Sequence, residues 1–133
     1  MGLGMGVPGM IDSKAGNVTY SNNLKWKDFR IGETVSELTG LRVKIANDAN
    51  VAALGETKFG AAKDFDNVVM LTLGTGVGGG IVVGGKVIHG IHGAGGEIGH
   101  LTVNTEETES CGCGKFGCVE QYCSATGVVR MTR

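Results

Sequence analysis

The run Cys111-Gly-Cys-Gly-Lys-Phe-Gly-Cys118 places three thiols in eight residues. So short a segment has too few apolar residues to build a core, so another force must hold it in shape. Gly112, Gly114 and Gly117 let its backbone wrap tightly. Structural zinc needs four thiolate or imidazole donors in a tetrahedron, and the loop offers three. Cys123, the one remaining cysteine, is a poor fourth. If a helix starts near Cys118, five residues at about 100° each leave the two side chains about 140° apart. His100 is the better candidate, because the chain can fold back from it over the acidic stretch 105–109. The alternative is three buried, unligated cysteines acting as small hydrophobes, and for Cys123 alone that buried reading is preferred. The start, MGLGMGVPGMID, lacks the basic head and apolar core of an export signal. A cytoplasmic setting with reduced thiols is therefore expected, and a disulfide is the less favoured use for them.

Glycine is the compositional outlier, 25 of 133 residues, against an ordinary share of about 7%. The glycines cluster between apolar runs, where the backbone must turn sharply or approach a ligand. Val68 to Gly85 carries no charge, yet seven glycines and two threonines leave it too thin in apolar side chains to cross a membrane. A net charge of −1 without a basic block argues against a nucleic-acid partner for this segment.

Pattern along the chain predicts a mixed α/β domain. Gly2 to Ile11 reads as a strand end followed by a turn at Pro8-Gly9. Apolar residues at 31, 35 and 38 predict a helix over 31–39, with Gly40 as its C-cap. Leu41 to Ala46 alternates like a strand, and Ala49 to Phe59 is spaced like a helix. Strands are expected at 67–73 and 81–83, flanking the glycine loop 74–80, then a Gly84-Gly85 hairpin leading into Lys86–Ile88. Gly90 to Gly96 is a second glycine loop. His100 to Val103 reads as a strand, Thr105 to Glu109 as a solvated acidic turn, and Val119 to Ala125 as a helix start.

A dinucleotide fingerprint would continue from Gly74-Thr-Gly-Val-Gly-Gly79 into a helix, whereas Ile81-Val-Val83 is strand material. No lysine closes the loop as in a P-loop. The loop therefore reads as a hairpin tip, the phosphate-binding arrangement of the actin and hexokinase type of ATPase fold, or as a hairpin without a ligand. Asp48 stands where a strand hands over to a helix. It could be a helix N-cap, or the carboxylate that a kinase uses to accept a hydroxyl proton. Asn47 could bind the same substrate. Glu97, three residues before His100, and Glu120, two after Cys118, read either as ordinary solvated glutamates or, from their position beside the proposed metal site, as residues facing a cleft.

Two stretches, Gly93-Ala-Gly-Gly-Glu-Ile-Gly-His100 and Cys111 to Glu120, closely resemble the signature of the ROK family, which holds bacterial sugar kinases and sugar-responsive repressors. Gly6 to Gly9, Asn47 to Asn50 with Ala52 to Glu56, and Leu73 to Gly79 match further family segments in order. The resemblance implies an actin-like, ribonuclease H-like fold of the hexokinase type and ATP-dependent phosphorylation of a hexose, glucose above all, at the head of glycolysis. It implies that Asp48 is the base at the sugar 6-hydroxyl. Asn47, Glu97, His100 and Glu120 would bond the other hydroxyls, and Gly9 would lie near the sugar. Gly74, Thr75, Gly76, Gly78 and Gly79 would approach the nucleotide phosphates. His100 would join Cys111, Cys113 and Cys118 on a structural zinc, while magnesium arrives with ATP, and a dimer is implied.

By the same resemblance, residues 1–66 correspond to the latter part of a small N-terminal lobe and 67–133 to the start of a large one. Family kinases carry an Asp-x-Gly-Gly-Thr phosphate loop and a helical C-terminal portion that are not found here. The isolated chain is accordingly expected to keep the metal site and part of the sugar site without useful activity. Its unpaired strand edges would favour self-association. A repressor, or a kinase for another hexose or an N-acetylhexosamine, fits the same motifs.

Overall fold

The computed structural model describes residues 1–132. The chain opens with β1 (Gly2–Val7), followed by an antiparallel meander of β2 (Met10–Asp12), β3 (Asn17–Ser21) and β4 (Trp26–Phe29). Helix α1 (Ile31–Thr39) then leads to β5 (Arg42–Asn47), which pairs parallel to β1 with Gly2 opposite Arg42 and Val7 opposite Asn47. Helix α2 (Asp48–Phe59) starts at the next residue, with no intervening loop.

The second half carries an antiparallel sheet of β6 (Val68–Leu73), β7 (Val77–Val83) and β8 (Lys86–Val87). A 3-10 turn (Ile98–His100), the long thiol-bearing loop, and helices α3 (Glu120–Cys123) and α4 (Ala125–Met131) complete the described chain.

The apolar core of the first half gathers Val7, Ile11, Val18 and Ile45, with Met5, Trp26, Ile31 and Val43 packed around it. Burying side chains of this kind contributes about 1.5–3 kcal/mol each. Gly40 closes α1 in the left-handed region at φ 68°, its N–H donating to the Ser36 carbonyl at 2.8 Å. Helix α2 lies against β7, and the glycines of β7 make that approach possible. A Cβ at Gly80 would stand 2.5 Å from the Ala53 Cβ and 2.8 Å from the Ala49 carbonyl oxygen.

Several expectations change. The glycine loop shortens to Gly74–Gly76, because Val77 to Gly80 already pair with β6. His100 to Val103 is no strand; it is the end of the 3-10 turn and a single bridge from Thr102 to Cys118. The acidic stretch is tied down rather than merely solvated. Arg130 bonds Glu107 at 2.9 Å and Glu109 at 3.1 Å, and the Tyr122 hydroxyl donates to Glu107 at 2.6 Å. The hairpin β2–β3–β4, unread in the sequence, is a principal element. Among the described residues, no helix is long and apolar enough to cross a membrane.

Candidate functional site

Both parallel strands end at the same place. β1 runs into Pro8-Gly9, and β5 runs into Asn47-Asp48, so their carboxyl ends open onto one crevice. Asn47, not Asp48, caps α2: its Oδ1 accepts the Asn50 N–H at 3.0 Å. Its Nδ2 donates to the Gly9 carbonyl at 3.1 Å, fastening the two strand ends together. Asp48 is thereby released from capping. Only its Oδ1 is engaged, by the neighbouring Ala49 N–H, and the residue is exposed to the crevice. Gly9 sits at φ 118°, where a Cβ would collide with the Tyr20 carbonyl.

Across the crevice stands the Gly74–Gly76 turn. Gly76 has no room for a side chain because the Glu120 carboxylate occupies that space. Gly78 and Gly79 lie in β7, and packing is reason enough for them: a Cβ at Gly78 would meet Thr72 and Ala49, and one at Gly79 would meet Gly96 and Ile98.

The third wall is the thiol loop. Ligand atoms of His100, Cys111, Cys113 and Cys118 all lie within 4.8 Å of one another. Cys113 and Cys118 sulfurs are 3.7 Å apart, and Cys111 Sγ is 3.8 Å from His100 Nδ1. A tetrahedral ion with Zn–S bonds of about 2.3 Å sets its sulfurs about 3.8 Å apart, so the donor set and its spacing fit zinc. Burial, reinforced by the two neighbouring thiols, pushes the Cys118 thiol up to about 12. Cys111 is also raised, chiefly by burial. For Cys113 burial works upward too, but hydrogen bonding from Lys115 and the adjacent thiols outweighs it and the thiol moves down. A bound cation reverses the cost of ionising such a cluster, which is what a metal site needs.

His100 turns Nδ1 to the thiols and Nε2 to Glu97, whose Oε2 is 3.8 Å away. At that distance Nε2 makes no hydrogen bond to Glu97, so its hydrogen-bonding capacity stays free toward the cleft. The loop is supported from behind by Gln121, which accepts the Cys118 N–H at 3.0 Å and donates to the Glu109 carbonyl at 2.9 Å. Cys123 takes no part and is exposed, against the expectation of burial. The helix begins at Glu120, close after Cys118 as expected, and this four-residue helix leaves Cys123 exposed.

These walls enclose one cleft of about 610 Å³. Gly9, Asn47, Asp48, Gly74, Thr75, Gly76, Gly78, Gly79, Glu97, His100 and Glu120 all line it, together with Cys113. The cleft also contains residues that no motif announced. Asn22 and Asn23, at the tip of the β3–β4 hairpin, form its outer rim, and Asn22 Nδ2 donates to the Gly112 carbonyl at 3.4 Å. Neighbouring asparagines between two short strands were the only available sign, and they read equally well as an ordinary turn. The arrangement combines an unencumbered carboxylate, a glycine turn suited to anions, and a polar wall stiffened by a metal-type cluster.

The ROK family matches residues 1–133. The chain is 47% identical over 131 residues to a glucokinase of Halalkalibacterium halodurans, covering 98% of this chain and 40% of that protein. It is 38% identical over 133 residues to a putative xylose repressor of Caldicellulosiruptor sp., covering all of this chain and 33% of the repressor. Among solved structures it superposes on a ROK glucokinase from Streptomyces griseus in complex with glucose and AMPPNP, with a TM-score of 0.88 and 42% identity over 97% of this chain and 41% of the other. It superposes equally on a ROK transcriptional regulator homologous to the E. coli MLC protein, with a TM-score of 0.86 and 34% identity over 98% of this chain and 33% of the other. The chain thus spans well under half the length of the relatives it matches. Its mixed α/β architecture is that of the hexokinase-type, actin-like ATPase fold, and with a family match along its whole length this chain belongs to the ROK family.

Proposed function

We propose that the protein is an ATP-dependent hexose kinase, with glucose as the favoured substrate, and that this chain is its central portion. Residues 1–66 belong to the small lobe, and 67–133 begin the large lobe with the phosphate turn and metal loop. The observation that carries this reading is the shared cleft. Asp48, the Gly74–Gly76 turn and the Glu97–His100–Glu120 wall face one volume of about 610 Å³.

In this account the sugar lies with its 6-hydroxyl at Asp48, whose Oδ2 accepts the proton as the oxygen attacks the γ-phosphorus and the bond from that phosphorus to the bridging oxygen breaks, releasing ADP. Glu97, His100 Nε2, Glu120 and the remaining capacity of Asn47 bond the other hydroxyls, with Gly9 allowing close approach. The glycine turn brings backbone N–H groups to the phosphates of ATP, and magnesium carried with the nucleotide neutralises their charge. His100, Cys111, Cys113 and Cys118 would together hold zinc with four protein donors, so the metal would be structural. His100 would be fixed directly, and Glu97 and Glu120 through the connected chain. Such preorganisation limits the ordering cost of binding a polyhydroxyl ligand. The setting is cytoplasmic, the protein acts as a dimer, and the isolated segment binds without useful turnover.

Hexose-dependent ADP release by the full-length protein, across a panel of hexoses and N-acetylhexosamines, tests this proposal. Release with glucose should vanish in Asp48→Asn while glucose affinity is largely kept. Unchanged turnover in that variant removes Asp48 as the base. Glucose binding with no release by folded, metal-loaded protein supports the second reading, a sugar-responsive repressor. That reading is favoured by the similarity to a xylose repressor over all 133 residues. Asp48 and the intact glycine turn favour catalysis.

A further inference from the structure

Three hydrogen bonds fasten the glycine turn to the segment that follows the thiol loop. Glu120 Oε2 accepts the Val77 N–H at 2.8 Å. The Ala125 N–H donates to the Gly74 carbonyl at 2.9 Å, and Thr126 Oγ1 donates to the Thr75 carbonyl at 2.8 Å. Within itself the turn has one bond, from the Gly74 N–H to the Gly76 carbonyl at 3.0 Å. Its shape therefore depends mainly on Glu120 to Thr126. That segment is an extension of the metal loop, since the Gln121 N–H donates to the Cys118 carbonyl at 2.9 Å.

We propose that Thr126 is a positioning residue for the nucleotide and that Glu120 serves both ligands, so that the metal loop governs nucleotide affinity as well as sugar affinity. This rests on the kinase reading. Thr126 does not line the sugar cleft; its hydroxyl bonds the Thr75 carbonyl and also lies 2.9 Å from Oγ of Ser124, the residue that caps α4. Removing the hydroxyl frees the Thr75 peptide to rotate, which disturbs the N–H groups offered to phosphate without touching the sugar wall. Glu120 divides its oxygens, with Oε2 on the Val77 N–H and Oε1 facing Cys111 Sγ at 3.9 Å. A sugar that orders this carboxylate also orders the turn. By linkage, the factor by which sugar raises nucleotide affinity equals the factor by which nucleotide raises sugar affinity.

The test is calorimetric titration of full-length, metal-loaded protein with glucose and, separately, with AMPPNP. Thr126→Val should weaken AMPPNP about five- to tenfold, the scale of one lost hydrogen bond, and leave glucose affinity unchanged. Thr126→Ser, which keeps the hydroxyl, should restore AMPPNP binding. In turnover assays Thr126→Val should raise KM for ATP more than it lowers kcat. Glu120→Ala should weaken both ligands and abolish their mutual enhancement, whereas Glu120→Gln, retaining an acceptor for the Val77 N–H, should weaken glucose more than AMPPNP. Wild-type AMPPNP affinity in Thr126→Val, or equal loss of both ligands, or no rescue by serine, overturns the proposal while the kinase reading stands. A wild-type protein that binds glucose but no AMPPNP overturns both.

Discussion

The core of the first half and the thiol loop are held by opposite means. Around Val7, Ile11, Val18 and Ile45, order comes from apolar burial between paired strands and a helix. From Leu101 to Val119 the only sheet-like pairings are two isolated bridges, Thr102 to Cys118 and Ser110 to Phe116. Leu101, Val103 and Phe116 are exposed there, while Cys111 and Cys118 are the buried residues of apolar character. One region would persist in the presence of a chelator, and the other has little to keep it folded except its four donors and the polar bracket behind them. A site built across both inherits rigidity from two independent sources.

That contrast breaks most visibly on metal removal. Structural zinc contributes on the order of 10–16 kcal/mol in small metal-dependent domains, which sets the scale for losing a ligand. Cys118→Ser, or chelation of the full-length protein, should abolish hydrogen-exchange protection at the Cys111, Cys118 and Val119 amides, all of which are internally bonded. Protection in the paired strands β1 and β5 should survive. Uniform loss in both regions would show that they fold as one unit.

The converse change is Ile45→Ala, at a side chain 3% exposed. It should cost about 2–5 kcal/mol in denaturant unfolding while metal content stays at the wild-type level. Metal loss in parallel with stability would join what the comparison separates.

The smallest effect concerns the bracket. The Arg130 guanidinium, followed by the Tyr122 hydroxyl, pulls the Glu107 carboxyl from 4.5 to about 2. A depressed carboxylate stabilises fully above its unfolded value and loses that contribution as pH falls through its folded value. The acidic turn should therefore loosen between about pH 4.5 and 2, seen as altered Tyr122 fluorescence, and Glu107→Gln should remove that limb. An identical acid profile in the variant would assign the transition to other groups.

Legibility in the sequence follows the same divide. Helix 31–39 and the strand at 42–47 have internal periodicity, so local pattern sufficed. By contrast, 68–73 is a nearly continuous apolar run, and helix 48–59 buries Ala49, Asn50, Ala53 and Thr57 while its apolar residues 51, 54 and 59 stay exposed. The β2–β4 meander has short strands rich in polar residues; its second turn puts Lys25 at positive φ in place of a glycine, and Asp28, also at positive φ, interrupts β4 itself. Its pairing exists only in three dimensions, and so did the place of Asn22 and Asn23 on the cleft. Residues 100–103 alternate like a strand, but the chain is committed instead to the 3-10 turn and to donors for the thiol cluster. Burial of Cys123 was inferred from its residue type alone, and helix phase decided otherwise. The donor quartet was legible because thiol spacing and glycine interleaving record a local geometric demand. What the spacing could not convey was that Glu120 also fastens the glycine turn.

The most direct test of a sugar wall held by metal is glucose titration of the full-length protein, metal-loaded and then stripped. Loss of at least about tenfold in affinity, restored by adding zinc back, is the predicted result. Equal affinity in the two forms would mean that the wall stands without its metal, and the account of the loop would be wrong.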